Sequence, residues 1–483
     1  MSQADQSVTL SELDYSRGKQ LAIQVFLDTM AALDLRSAML AKLKREGELL
    51  KAGEISLSLH RPPRVVAFGK AANRMAAVLD EILGGRVEAG VCVSPGEPAR
   101  RLDRFRYFLG GHPYPQVGSL AGASAALELV SNLTPEDVVI FLVSGGGSAI
   151  FEQPFDPAVS LSELRGFNRV LVTCGLPIEQ INILRKHTSA VKGGRLAIRA
   201  YPAHQLTIYI SDVPEQLFSM VASGPTLADE STAEHAYALA EQNGLVSRFP
   251  PSIRKRFLEH TLEETPKPGD ERFMNSHYVC LLSNRDAVEA AKGAAEKLGF
   301  VSEIDSNPWD ADYQQVAQSN LTSLKALAEA HEGQPVCLIA GGEVICRVTG
   351  PGVGGRNQAY VLYAAQSIAG QHRVVLSAGT DGRDGNSPTS GAVADGQTIS
   401  RALALGMDPA RYLAESDSYS FFRSLGDTVD IGYMDNNLRD VRVWLDFGSG
   451  LGAEEIQNSN GKGQMANGKP FGICSRLAGP FAI

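Results

Sequence analysis

Three things are scarce in this chain. Positive charge is one: 45 Lys and Arg stand against 54 Asp and Glu, a formal net charge of −9. A nucleic-acid binder would show a basic surplus or stripe, so that class is excluded. Long apolar runs are another. None reaches the roughly 18 residues that cross a bilayer, so no membrane partner is expected. Paired cysteines are the third. Cys92, Cys174, Cys280, Cys337, Cys346 and Cys474 include no CxxC pair, which removes the common zinc and redox motifs. They read as buried thiols of a reducing compartment. The first ten residues, MSQADQSVTL, carry neither a basic nor an apolar signal region. The expected location is the cytoplasm. The phosphate-binding Walker A pattern GxxxxGK[ST] is missing too, so any phosphoryl chemistry must use another loop.

What remains is an ordinary globular composition, 44% hydrophobic and 20% charged over 483 residues. That length suits two or three domains. Residues 13–48 read as helical, from the spacing of Leu21, Ala22, Val25, Phe26 and Met30. Apolar strands follow at Arg64–Phe68, Val138–Val143 and Leu206–Ile210, with helical stretches between them. Nearly continuous apolar strands of this kind indicate a parallel sheet covered on both faces. A stretch rich in Pro, Glu and Arg at 244–276 separates this unit, 13–265, from a second α/β unit at 276–445. The strands expected there are 279–282, 336–340 and 374–377, with a further strand-like run at 345–349. Residues 446–483 are rich in Gly and Asn and read as a flexible tail.

The chemistry concentrates where glycines follow strands. Ser144-Gly145-Gly146-Gly147-Ser148 follows the strand 138–143. In open α/β sheets ligands collect at the carboxyl ends of strands, and glycines there let backbone N–H groups approach an anion. Lys70 stands at the end of strand 64–68, where it opposes the following helix dipole and so asks for an anionic partner. Gly350, Gly352 and Gly355 formally spell GxGxxG, a dinucleotide signal. The continuation Arg356-Asn357-Gln358 looks more like a clamp for phosphate or carboxylate. Asp381 and Asp384, between glycines after a strand, suit Mg²⁺ bridging phosphate oxygens. Arg185, Lys186, His187, Ser189 and Lys192 form a basic cluster. Read as one helix, it puts Arg185, Ser189 and Lys192 on one face, fit for an anion.

Taken in order, these motifs resemble the class II glycerate kinases, whose C-terminal part is the MOFRL domain and some of which carry the older label hydroxypyruvate reductase. The resemblance runs over about 18–445. It rests on Gly69-Lys70-Ala-Ala72, Gly110-Gly-His-Pro113, Ser144–Ser148, Asn182 with Arg185-Lys-His187, Lys192-Gly-Gly194, Ser211-Asp-Val213, Ala222-Ser-Gly-Pro-Thr226, Gly341-Gly-Glu343, Gly354-Gly-Arg-Asn-Gln358 and Gly379-Thr-Asp-Gly382. It implies a larger Rossmann-like three-layer domain with a parallel sheet, a smaller α/β domain of MOFRL type, and a cleft between them. It also implies Mg²⁺ and ATP-dependent phosphorylation of D-glycerate, usually to 2-phosphoglycerate, by a monomer or homodimer. Lys70 and Arg356 become the key residues, with Asp212 or Asp381 as base. Two rival readings stand beside it. The glycines at 350–355 favour an NAD(P)H-dependent hydroxypyruvate reductase. Departures from the family pattern at Glu215-Gln216, Ala359 and 430–437 favour a homologue that binds glycerate or nucleotide without turnover.

Overall fold

The computed structural model describes residues 10–213, 215–307 and 310–448; the side chains of 10–14 and 215–217 also lie outside the description. Of the tail expected at 446–483, Asp446 still belongs to a strand and the part from 449 onward lies outside the description, as do the side chains of Glu215-Gln216. No described helix is long and apolar enough to cross a membrane.

The expected helix 13–48 divides. Helix Leu10–Ala32 stops, and Asp34 caps a second helix, Leu35–Lys42, by accepting from Ser37 N. The chain then turns into a three-stranded antiparallel sheet of β1 (Leu43–Glu46), β2 (Leu49–Ala52) and β3 (Ile55–Ser58).

The first large sheet holds β4 (Arg64–Phe68), β5 (Ala89–Ser94), β6 (Phe105–Leu109), β7 (Val138–Val143), β8 (His204–Ile210) and β9 (Ser276–Leu282). All are parallel, in the order β6-β5-β4-β7-β8-β9. This is the doubly wound order of a Rossmann-like domain, reversing direction between β4 and β7. Alternate residues serve opposite faces. Val65 and Ala67 pack with Met75, Ala76 and Leu79 of helix Ala72–Leu83. Val66 and Phe68 pack with Ala123 and Ala126 of helix Val117–Leu129. The domain boundary read from sequence needs correction here. The sequence places a strand at 279–282 in the second unit, but that strand, Ser276–Leu282, closes the edge of the first sheet beside β8.

The second sheet is mixed. It contains β10 (Val301–Ile304), β11 (Val336–Ala340), β12 (Arg373–Gly379), β13 (Gly391–Asp395), β14 (Thr428–Val429) and β15 (Asp440–Asp446), in the order β10-β11-β15-β12-β13-β14. β15 runs antiparallel between β11 and β12, so its N-terminal end lies with their C-terminal ends. Residues 345–349 form no strand; Ile345 makes one isolated bridge to Asp312. Helix Leu10–Ala32 packs chiefly on this second sheet, along β12, β13 and β15. Lys19 ties it there through Asp427 (2.7 Å) and Asp395 (3.4 Å).

Candidate active site in the interdomain cleft

The loops leaving β4 and β7 meet at the switch point of the first sheet. Lys70 N donates to Gly145 O (3.0 Å), Ser144 N to Phe68 O (3.1 Å) and Ala71 N to Ser144 Oγ (3.0 Å). A Cβ on Gly145 would lie 2.4 Å from Oδ2 of Asp212, which follows β8. Only glycine admits that carboxylate. Lys70, the triple-glycine loop and Asp212 are thus gathered by the carboxyl ends of three adjacent strands. Burial raises the Asp212 pKa, and Lys70 and Arg439 partly offset the rise. His112 flanks Gly146; burial and the Lys70 charge lower its pKa. Behind the loop, Ser148 Oγ and Ser223 Oγ are 2.8 Å apart, and Ser223 donates to Asn182 Oδ1 (2.9 Å).

The second sheet supplies the facing wall. Glu343 follows β11, Asp381 follows β12, and Arg439 and Asp440 enter β15, all at one edge. Arg356 opens helix Arg356–Ser367. It donates through Nε and Nη2 to both oxygens of the buried Asp440 (2.7 and 2.8 Å), while Nη1 meets Glu343 Oε1 at 3.1 Å. Burial opposes the Arg356 charge, but Asp440 and Glu343 outweigh it and raise its pKa. Burial, and the nearby Asp440 and Asp212, raise the Glu343 pKa against the pull of Arg356 and Arg439. Arg439 Nε lies 3.7 Å from Glu343 and its Nη2 is bonded to Asp310. One contact crosses the cleft at the centre of this group: Lys70 Nζ lies 3.9 Å from Asp381 Oδ2, with both side chains about one-fifth exposed or less (17% and 20%).

Several residues picked from sequence sit elsewhere. Asn357 and Gln358 have no exposed surface. Asn357 binds Asp440 (2.9 Å), and Gln358 binds Ser387 and Thr389 (2.8 Å each). They seat the helix, and of the three only Arg356 is partly exposed. Asp384 is buried as well. Its carboxylate accepts from Asn357 N (3.0 Å) and Gln358 N (2.9 Å), capping that helix rather than pairing with Asp381. No group of three or more His, Cys, Asp or Glu suited to a metal occurs among the described residues.

The basic cluster is not one helix face. Helix Ile178–Thr188 ends before Ser189, and Gly193 and Gly194, both at positive φ, turn the chain. Ser189 (2.6 Å) and Lys192 nevertheless converge on the buried Glu152, while Lys186 binds Asp229 (3.0 Å) and His187 meets Glu264 (3.2 Å). Arg185 differs: its Nε is buried without a hydrogen-bond partner, next to Asn182. The dinucleotide reading of Gly350–Gly355 loses its context, because no strand leads into the loop.

Glu152, Asp440 and Arg439 were missed in the sequence. For the last two a signal existed. Arg439-Asp-Val-Arg-Val-Trp-Leu-Asp446 alternates with the period of a strand, but its charges disguise a fully buried one.

Comparison with known proteins fits this architecture. Residues 21–258 match a domain of unknown function, DUF4147, and 336–440 match the MOFRL family. The D-glycerate 2-kinase of Thermotoga maritima is 36% identical over 79% of this chain and 90% of its own length. The chain belongs to the glycerate kinase family. A second glycerate 2-kinase, from Pyrococcus horikoshii, is 30% identical over 88% of the chain and 96% of its own length. The crystal structure of the Thermotoga maritima glycerate kinase superposes with a TM-score of 0.77 at 33% identity, covering 89% of this chain and 99% of that one. The Rossmann-like and MOFRL halves are those of the glycerate kinase family, and the cleft residues lie where the two meet.

Proposed function

We propose that the protein transfers the γ-phosphoryl group of ATP to the 2-hydroxyl of D-glycerate, giving 2-phosphoglycerate. The observation that carries this reading is the meeting of Lys70 and Asp381 across the cleft, beside Asp212 and Arg356. It brings cations for a transferring phosphoryl group and carboxylates for a proton and a metal ion into one place. Two relatives named as 2-kinases support the choice of position.

Phosphoryl transfer needs positioning and charge neutralisation more than covalent help. Lys70 is the mobile point charge that neutralises the transferring group. Loop 144–148 lets the phosphate approach the backbone at the switch point. Asp212 takes the hydroxyl proton; a buried carboxyl with a raised pKa is the stronger base. Arg185 receives the glycerate carboxylate, which satisfies its unpartnered Nε. Arg356 faces the nucleotide phosphates from the second domain. Mg²⁺ commonly takes one or two carboxylates and completes its shell with water and phosphate. Asp381 fits that role and Asp384, spent on the helix cap, does not. When bound, the ion would screen charge between the phosphates.

Purified protein with D-glycerate and Mg²⁺-ATP should release ADP and a product that enolase consumes without a mutase. Absence of ADP release overturns the kinase reading. A product that needs the mutase overturns the 2-position. Oxidation of NADH by hydroxypyruvate would instead support a reductase.

A further inference from the structure

A cavity of ≈ 650 Å³ lies beside Arg356. Its walls are the start of helix Tyr313–Ala330, the loop 344–355 and helix Pro409–Ala414. Glycerate is far too small to need it; pockets of roughly 300–1,000 Å³ hold drug-sized ligands. Its lining is of mixed character. Tyr313, Tyr412, Leu413, Val344 and Val348 give apolar and aromatic surface, and Arg356 stands at the wall shared with the cleft. The two tyrosine rings are held by edge contacts, Tyr313 against Tyr363 (6.0 Å, 81°) and Tyr412 against Phe421 (5.5 Å, 69°). Such rings are set in place before any ligand arrives.

The loop on the other wall is pinned. Gly352 N donates to Glu415 O (2.9 Å), Thr349 N to Ser416 Oγ (2.9 Å) and Val353 N to Asp417 Oδ1 (3.0 Å). Residues 346–348 belong to neither strand nor helix, so their backbone can address the edge of a flat heterocycle. Val348 is 77% exposed although it lines the cavity, an apolar surface that no other described residue covers.

We propose that this cavity is the nucleoside subsite, taking the adenine and ribose of ATP, with the triphosphate leaving it past Arg356 towards Lys70. The inference rests on the kinase reading for its ligand. It gives the GxGxxG-like loop a task other than holding a dinucleotide's pyrophosphate: its glycines form a wall of a base-sized cavity.

The test uses the full chain, with ADP binding by titration calorimetry as a readout independent of turnover. Val348→Trp fills the cavity from an exposed position. Val348→Glu places a negative charge beside an anionic ligand. Each should weaken ADP binding and raise the KM for ATP by about tenfold or more, a shift worth roughly 1.4 kcal/mol of binding. The glycerate KM and the melting temperature should stay as in the parent protein. Parent-like ADP affinity in both folded variants overturns the subsite. The two readings fail separately. Phosphoryl transfer by the parent with no effect of either variant rejects the subsite alone. ADP binding that both variants weaken, in a protein without turnover, rejects the kinase reading alone.

Discussion

Arg356 gives two parallel N–H groups to Asp440, a carboxylate with no exposed surface. Lys70 has only a long contact to Asp381, at 3.9 Å and partly in solvent. The two cations should therefore answer differently to removal. Lys70→Ala should lower kcat by about 10²–10³, the usual loss for one charge-stabilising group, and leave the melting temperature unchanged. Arg356→Ala should lower activity and also destabilise the fold. It removes the ion-pair partner of a buried carboxylate and leaves Asn357 as its side-chain donor; breaking a buried pair in this way typically costs about 3–5 kcal/mol. Parallel turnover and thermal-melt measurements check both; an Arg356→Ala protein melting like the parent would refute the structural half. The sequence shows why Lys70 is easier to find. It stands at the end of its own apolar strand, a local signal. The partner of Arg356 is 84 residues away, and only the antiparallel insertion of β15 brings it close.

Helix Arg356–Ser367 depends on the cap that Asp384 provides. A Cβ on Gly355 would come within 2.3 Å of Asp384, so the glycine before Arg356 is required by the cap itself. Burial, with some help from Asp440, pushes the Asp384 carboxyl from 3.8 up to about 7. The folded protein then keeps a proton that the unfolded chain releases near pH 4, so its contribution to stability is whole below pH 4 and is lost as pH rises towards 7. Urea unfolding of the parent and of Asp384→Asn across pH 4–8 should show this. The parent should lose stability relative to the variant between pH 4 and 7, and the difference should level off above. A constant difference would exclude titration of Asp384 in that range. At this scale β4, β7, β8, β11 and β12 are legible, because each is built mainly of apolar residues in an unusually dense run. The cluster Arg185–Lys192 is not the single helix its spacing suggests: basic residues continue at helical spacing past Thr188, but Ser189 is extended and the Gly193-Gly194 turn follows. Helical spacing of charges does not reveal where backbone geometry breaks.

The two six-stranded sheets bring their Lys70 and Asp381 edges face to face, and the chain does not pass from one to the other in a single step. Helix Leu10–Ala32 covers the second sheet before the first is begun, and β9 completes the first sheet after the linker-like stretch 244–276. The sequence carried two α/β units and an apolar stripe of Leu21, Ala22, Val25 and Phe26. Periodicity says which face of a helix is buried but not which sheet buries it, so the stripe was given to the wrong domain. The consequence is testable. Burying those four side chains is worth on the order of 5 kcal/mol, a large part of the 5–15 kcal/mol by which domains are usually stable. Removing residues 1–32 should therefore strip protection from the second sheet, although the cut is at the far end of the sequence. Amide hydrogen exchange followed peptide by peptide should show the loss in β12, β13 and β15, with β4 and β7 keeping their protection. A segment 283–448 expressed alone should fail to unfold cooperatively, and linking helix 10–32 to it should restore the transition. Loss of protection confined to the first sheet would mean that the helix stabilises that domain instead.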